Sequence, residues 1–515
     1  MKLRLTLCAL LLWTAACQGL AAPTATPTAT ATATVTATLT ASATPTQSAT
    51  ATASATPTPT ATITQTPSLT PIPSATPHPS LTPQPTVSVP FDNWELFDVI
   101  EALEDGISTP LIAFLNQNNR ETIRNLSTAQ PQTDNETLYY VAPDGSFART
   151  AVLSLTAPTN NQLYISRNGL SIAYFRDDPA GFNSGLYVVD LRTGFSSRFL
   201  ALASLVQRGI FSVPAWTADG RRLAIALATG YDMDIFSVGV DGSGWQNLTA
   251  AGSYEWWPSW SADGRYLLFV SDRARCPSWI PGDTNACDAL STPPPSSGNV
   301  FVLDTATNEL RQIADIWVNE APQWVNNTTI AFASGDPLLG DSERRLWLAD
   351  ARSGQLREVR LPNGSDGPLR LSPAWSADGR RVLFQSAGTA AEIIMMGTDG
   401  ILIGRTSELN FARFSMAAAW SPDGTRVAIG GVEGQCPYGI IVYNEAFESV
   451  RRGTPPPSMC NPAFSPDSLW LAFSGLISTV DGRVDIYVAN NNGGGAVNLT
   501  SDLRGQTDFV GWVGG

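Results

Sequence analysis

Hydrophobic and polar positions along the chain follow one recurring scheme, clearest over residues 258–270, PSWSADGRYLLFV. A short stretch ends at Trp260, a Ser-Ala-Asp-Gly turn reverses the chain, and an unbroken apolar run leaves. The scheme predicts a β-hairpin. Asp263-Gly264 supplies the positive-φ position of a tight reversal, and Pro258 stands at a strand start, where its missing N–H costs least. Copies begin at Pro214 (PAWTADGRRLAIAL), Pro373 (PAWSADGRRVLF), Ala418 (AAWSPDGTRVAIG) and Pro462 (PAFSPDSLWLAF), with weaker ones at Leu163 (LYISRNGLSIAYF) and Pro322 (PQWVNNTTIAF). Anchored on Ile165, Trp216, Trp260, Trp324, Trp375, Trp420 and Phe464, the copies are 44 to 64 residues apart. Those periods belong to a β-propeller.

The second strand of each hairpin reads as continuous apolar sequence, as in Tyr266 to Val270 or Val382-Leu383-Phe384, and so must be covered on both faces. A strand in a blade stacked between neighbouring blades meets that demand. Third strands follow at Leu186 (LYVVD), Asp234 (DIFSVGVDG), Asn299 (NVFVLD) and Asp485 (DIYVAN), and more polar outer strands at Trp245 (WQNLTA) and Ala496 (AVNLTS). Four strands per unit is the arithmetic of a propeller blade. The two ends of the repeat region are complementary. LYYVAPDGSFARTAVL, from Leu138, has the third and fourth strands of a blade without the first two, while TDFVGWV places Trp512 48 residues after Phe464, where a first strand should stand. Pairing them would close the ring and leave no sheet edge inside it. The predicted fold is therefore an all-β propeller over residues 137–515, with eight blades including a composite closing blade, or seven if that blade, whose second strand is missing, does not form.

Residues 1–17, MKLRLTLCALLLWTAAC, have a positive start, an apolar centre and small residues before a cysteine, the pattern of an export signal. The segment resembles a bacterial lipoprotein signal with Cys17 as the lipidated residue, although the usual Leu is absent at Thr14; simple cleavage and secretion is the alternative. No later stretch is long and apolar enough to span a bilayer. Residues 18–90 are almost only Thr, Pro, Ala and Ser, which cannot bury a core, so they read as a disordered stalk. Roughly 70 residues at about 3.1 Å each would reach on the order of 200 Å. In 91–130 the spacing of Trp94, Phe97, Ile100 and Leu103, of Leu111, Phe114 and Leu115, and of Ile123 and Leu126 predicts two or three short helices capping the propeller.

Composition narrows the chemistry. The one histidine, His78, lies in the stalk and the one lysine, Lys2, in the signal. The folded part therefore has no means for histidine-assisted nucleophilic catalysis, lysine Schiff bases, a phosphate-loop lysine or histidine-ligated metals. Carboxylate chemistry of the glycosidase type, and calcium on oxygen ligands, remain open. No run has calcium-loop spacing; Asp232 and Asp234 are close but read as solvated, and no metal or cofactor is expected. The formal net charge of −14, with arginines scattered among more numerous acids, argues against nucleic acid. Outside the signal stand Cys276, Cys287, Cys436 and Cys460, an even number in an exported chain, which implies disulfides. Three pairings are possible, and proximity favours Cys276 with Cys287 and Cys436 with Cys460.

Long second-to-third connections, Arg273 to Gly298, Gly335 to Arg344 and Gly431 to Tyr438, share one face of the predicted ring, and a ligand is expected there. Its aromatic candidates are Tyr254, Trp256, Trp257, Trp279 and Tyr438, as sugar-stacking or partner-anchoring residues, with packing between blades as the plainer reading of Trp256 and Trp257. Asp272 and Arg273 either face the channel or form a local ion pair. Asp219, Asp263, Asp378 and Asp423 recur because the turn recurs.

The Pro-x-Trp-Ser-x-Asp-Gly-x-x-(apolar)-(apolar)-Phe units resemble the repeats of the TolB-type β-propeller family over about Leu138 to Val513. The resemblance implies the propeller and a cell-envelope setting among protein partners. The stalk, the disulfides and the lack of a recognisable N-terminal α/β domain depart from that family. Related propellers carry hydrolase domains or histidine-dependent metal sites that are not recognisable here. The expected function is a surface-tethered, non-catalytic and monomeric scaffold, which binds a protein or peptide, or a glycan. The alternative is an extracellular carbohydrate-active enzyme using channel carboxylates.

Overall fold

The computed structural model describes residues 87–88, 94–96 and 106–515, the last span without 118–135, 156–162, 177–184, 201–212, 289–296, 336–343, 361–368, 388–391, 410, 413, 433, 454–456 and 478–482. The signal with Cys17, most of the stalk and most of the expected helical cap lie outside the described residues. What is described is an all-β propeller.

Its strands form antiparallel four-stranded units in chain order, over 163–200, 215–247, 255–318, 323–359, 369–406, 416–452 and 460–498. They are called the first to seventh blades below. In each, the first strand pairs the second, the second the third and the third the fourth. The second and third strands are the most deeply buried, as their unbroken apolar runs require: Tyr266–Ser271 and Gly298–Asp304 are buried at every position. Successive blades share apolar layers, the first with the second around Phe199 and Phe236, the second with the third around Phe269 and Phe301, and the fourth with the fifth around Phe384.

A further unit joins the two ends of the propeller. The C-terminal strand Gln506–Val513 pairs Leu111–Gln117, which pairs Glu136–Val141, which pairs Thr150–Leu155. Leu111–Gln117 is thus the second strand that the sequence reading lacked, and the helix expected there is corrected to a strand. The physical reason is two-sided burial. Leu111, Ala113 and Leu115 face the first blade, with Leu163 and Ile172, whereas Ile112 and Phe114 face the seventh, with Ala472 and Ile486. That alternation has period two. The spacing of Leu111, Phe114 and Leu115 also suits a helix, and a short apolar run does not distinguish the two until its neighbours are known.

The chain adds two more short strands at the rim. Val87–Ser88 pairs the outer strand Phe195–Leu200 of the first blade, and Trp94–Leu96 pairs the outer strand Thr150–Leu155 of the closing blade. Residues 87–88, assigned to the stalk, and 94–96, assigned to a helix, are therefore corrected to edge strands.

The recurring Ser-x-Asp-Gly turn is held by its own polar atoms. In the third blade Ser261 Oγ donates to Asp263 Oδ1 (2.5 Å), and Tyr266 N donates back to Ser261 Oγ (2.9 Å), while Gly264 takes φ +70°. Ser376–Asp378 and Ser421–Asp423 repeat the arrangement at 2.6 and 2.5 Å. The Ser261 hydroxyl holds the Asp263 carboxyl below the usual carboxylate range. These aspartates serve the turn.

The recurring Trp serves the ring. In four units its indole N–H crosses to the preceding blade: Trp216 to Tyr164 O (3.1 Å), Trp324 to Ser259 O (3.1 Å), Trp420 to Ala374 O (3.1 Å) and Trp512 to Ala463 O (3.0 Å), whereas Trp260 makes no such bond among the described residues. Each acceptor belongs to the residue just before the preceding anchor. Trp420→Phe keeps most of the ring packing and deletes one such bond, so it is expected to lower stability by about 0.5–1.5 kcal/mol. Chemical denaturation checks this; an unchanged midpoint would remove the indole bond from the forces that join blades.

Candidate functional site

The Asp-Gly turns and the third-to-fourth turns lie at one end of the strands, and the long second-to-third connections at the other. The long-loop end is the candidate binding face, and it is braced by disulfides. Cys276–Cys287 closes the loop after the second strand of the third blade, with a Cα–Cα distance of 5.8 Å, and Cys436–Cys460 joins the sixth and seventh blades at 5.1 Å. Both pairings are those read from proximity.

Beneath the first loop lies a buried polar cluster. Glu255 begins the innermost strand of the third blade and is wholly buried. Its Oε1 accepts from Ser253 Oγ (2.6 Å), Ser271 Oγ (2.9 Å) and Arg273 Nη2 (2.9 Å). Its Oε2 has no hydrogen-bond partner among the described residues. Burial outweighs the attraction of Arg273 and pushes the Glu255 carboxyl up to about 7. Arg273 also packs its guanidinium over Phe269 and Phe301, 5.6 and 5.4 Å from the ring centroids. Asp272 is not its partner, contrary to the local pair read from sequence. Instead Asp272 Oδ1 accepts from Tyr254 N and Oδ2 from Trp279 Nε1, both at 2.8 Å, and burial raises its carboxyl to about 6.

Tyr254 and Trp279 depart from the expectation of surface aromatics, whereas Trp256 is buried, in keeping with the packing reading of that residue. All three are buried, with Tyr254 stacked on Trp256 at 5.8 Å and edge-on to Trp279 at 5.8 Å. They form the floor of the loop rather than its contact surface. Trp257 is half-buried and takes φ +52° at a bulge in its strand. The bulge recurs at Ser372 (φ +50°) and Asn461 (φ +45°), each just before the proline of its repeat. Proline has no N–H to offer the ladder, which makes this the natural position for an irregularity. The structure thus gathers Tyr254, Trp256, Trp257, Asp272, Arg273 and Trp279 in one blade and leaves Tyr438 apart, in the sixth.

Tyr438 is the sequence candidate that faces solvent, 56 % exposed beside Cys436. A second exposed aromatic, Tyr231, is 61 % exposed in the second-to-third connection of the second blade. Nothing in the repeat pattern marks it, because its connection is only a few residues long. Near it, Asp232 and Asp234, read as solvated, are buried. Asp234 accepts from Asn247 Nδ2 (2.7 Å), Thr249 Oγ1 (3.1 Å) and Ala251 N (3.0 Å), fastening the outer strand. Asp485 does the same with Asn498 (2.9 Å) and Thr500 (2.8 Å) in the seventh blade. Among the described residues no group of three or more His, Cys, Asp or Glu is arranged to hold a metal ion.

No protein-family model matches this chain. Its fold is similar to that of TolB from Acinetobacter baumannii, with 16% identity, TM-score 0.32, and coverage of 58% of this chain and 63% of that one. The chain thus spans less than two thirds of the TolB it matches. It is also similar to an oligogalacturonate lyase from Vibrio parahaemolyticus, with 14% identity, TM-score 0.40, and coverage of 74% and 98%. A eukaryotic initiation factor matches at 12% identity and TM-score 0.46, covering 77% and 98%. The likeness is one of propeller fold, and the two disulfides accord with an extracytoplasmic setting.

Proposed function

We propose that this propeller is an extracytoplasmic binding scaffold of the TolB type, tethered through a lipid on Cys17, which presents its long-loop face to a protein or peptide partner without catalysing a reaction. The observation that carries the reading is the bracing of that face. The 272–288 loop is held by a disulfide, by the Trp279–Asp272 hydrogen bond, and by Arg275, whose guanidinium lies 3.9 Å from the centroid of Trp317. Loops fixed before binding lose less entropy on association, and exposed tyrosines such as Tyr231 and Tyr438 are efficient anchors on such a surface. The carbohydrate-active alternative draws on Glu255 and Asp272, whose carboxyls are raised to about 7 and about 6. Both are buried, away from the surface a glycan chain would reach, and Asp272 is already bonded to Trp279 Nε1.

A photo-crosslinking residue in place of Tyr438, and another in place of Leu469 on the opposite face, test the reading on the full chain in its own envelope. A discrete protein adduct from position 438 and none from 469 is the expected result. Equal labelling from both positions, or none from 438, would overturn the assignment of the face. Hydrolysis or elimination of a glycan by the wild-type chain, lost in Glu255→Gln, would replace the scaffold by the enzyme.

A further inference from the structure

An asparagine two residues before a Ser or Thr is the acceptor pattern for N-linked glycans, and it carries weight in a chain whose disulfides accord with an extracytoplasmic setting. Among the described residues the pattern stands at Asn247, Asn326, Asn327 and Asn498. The structure separates them. Asn247 and Asn498 begin the same Asn-Leu-Thr run at the outer strands of the second and seventh blades, where both members of the pattern are already in use. Asn247 Nδ2 and Thr249 Oγ1 clasp Asp234 at 2.7 and 3.1 Å, and Asn498 Nδ2 and Thr500 Oγ1 clasp Asp485 at 2.9 and 2.8 Å. In both blades the nitrogen that would carry a sugar is the one that fastens the outer strand.

Asn326 and Asn327 lie in the hairpin turn of the fourth blade, between the strands Gln323–Trp324 and Thr329–Ser334, where Val-Asn-Asn-Thr stands in place of the Ser-x-Asp-Gly turn. Asn326 holds that turn. Its Oδ1 accepts from Thr328 N (3.0 Å), Thr329 N (2.9 Å) and Thr328 Oγ1 (3.2 Å), and its Nδ2 donates to Ala377 O in the fifth blade (3.4 Å). Asn327 has no such duty. It is exposed at the tip, its side chain makes no hydrogen bond among the described residues, and the hydroxyl of Thr329, two residues on, takes no part in the bonds of the turn.

We propose that Asn327 is an N-glycosylation site of this chain, which receives an oligosaccharide from a lipid-linked pyrophosphate donor. In the transfer a bond forms between Asn327 Nδ2 and C1 of the first sugar as the bond from C1 to the pyrophosphate oxygen breaks. The lipid pyrophosphate leaves with the electron pair, and the amide gives one proton to a base of the transferase. The N–H and carbonyl that remain on Asn327 face water, so the modification removes no contact of the fold. The turn is at the other end of the blades from Tyr231 and Tyr438, so a glycan on it covers the tight-turn end and leaves the long-loop face open. The site depends on export of the chain and stands independently of the proposed partner face.

Peptide mass spectrometry with electron-transfer fragmentation, on the full chain purified from its own source, tests this. A carbohydrate mass on Asn327, and none on Asn247 or Asn498, is the expected result. Asn327→Gln should abolish the modification. Thr329→Val, which keeps the branched shape and removes the hydroxyl, should abolish it as well, and Thr329→Ser should retain it. Near-ultraviolet circular dichroism checks that each variant is folded. A bare Asn327 overturns the inference. If Cys276 and Cys287 are linked in the same digest, the extracytoplasmic setting survives that failure; if they are free thiols, the setting falls with it. Sugar on Thr328 or Thr329 in place of Asn327, sugar retained in Thr329→Val, or occupancy of Asn247 or Asn498 overturns the inference too.

Discussion

Deleting residues 506–515 is expected to abolish cooperative unfolding of the propeller. That strand pairs Leu111–Gln117 over its full length and carries Trp512, whose indole reaches Ala463 O in the seventh blade at 3.0 Å. Without it, Leu111, Ile112, Phe114 and Leu115, all wholly or almost wholly buried, would lie at an open sheet edge. The loss would not be confined to one blade, because the closing blade shares one apolar layer with the first blade and another with the seventh. A milder probe of the same seam is Phe114→Ala, which deletes a fully buried ring and should cost about 3–5 kcal/mol. Thermal denaturation followed by near-ultraviolet circular dichroism measures both. If the truncated chain melts in one transition at the wild-type temperature, closure is not what holds the ring.

Arg273→Met is expected to destabilise the propeller by about 3–5 kcal/mol at pH 8, the cost of leaving a buried charge without its partner. The partner is Glu255, which is wholly buried and, among the described residues, makes one ion pair, at 2.9 Å. The penalty should shrink toward pH 5, where Glu255 can take a proton and rest neutral. The wild-type chain should show the same coupling. Burial raises the folded-state Glu255 carboxyl from its ordinary 4.5 to about 7 and that of Asp272 from 3.8 to about 6. The folded state therefore holds more protons than the unfolded state between those limits, and these groups make stability fall as pH rises from about 4 to about 7. Their contribution is complete below about pH 4 and gone above about pH 7. Glu255→Gln should flatten the upper part of that slope. Urea midpoints across pH 4 to 8 decide the matter; a wild-type midpoint that rises steadily through this window, or one that Glu255→Gln leaves unaltered, contradicts the account.

The propeller was legible because its information is local and repeated. A Trp, an Asp-Gly turn and an apolar run each have one physical job, and every copy strengthens the reading of the others. The closing blade was half legible for the opposite reason. Gln506–Val513 announced a first strand by its distance from Phe464, but Leu111–Gln117 has no turn signal beside it, and only its two flanking blades make it a strand. The candidate face was legible as a location, since loop length and cysteine positions show in a sequence. The orientation of its residues was not. Tyr254, Trp256 and Trp279 look identical in sequence whether they meet solvent or one another, and Arg273 chose Glu255, 18 residues away, over its neighbour Asp272.

The two rim strands give the molecule a mechanical asymmetry. A pull on the N-terminal end of the chain enters the ring first at Val87–Ser88 and then at Trp94–Leu96, two and three residues long. Few hydrogen bonds oppose it at either point, so each acts as a weak link that yields early. The next resistance is Leu111–Gln117, flanked on both sides by paired strands, where tension must shear two ladders at once. The rim strands thus work as a fuse: a pull on that end spends itself peeling two short edges before any force reaches the seam on which the ring depends.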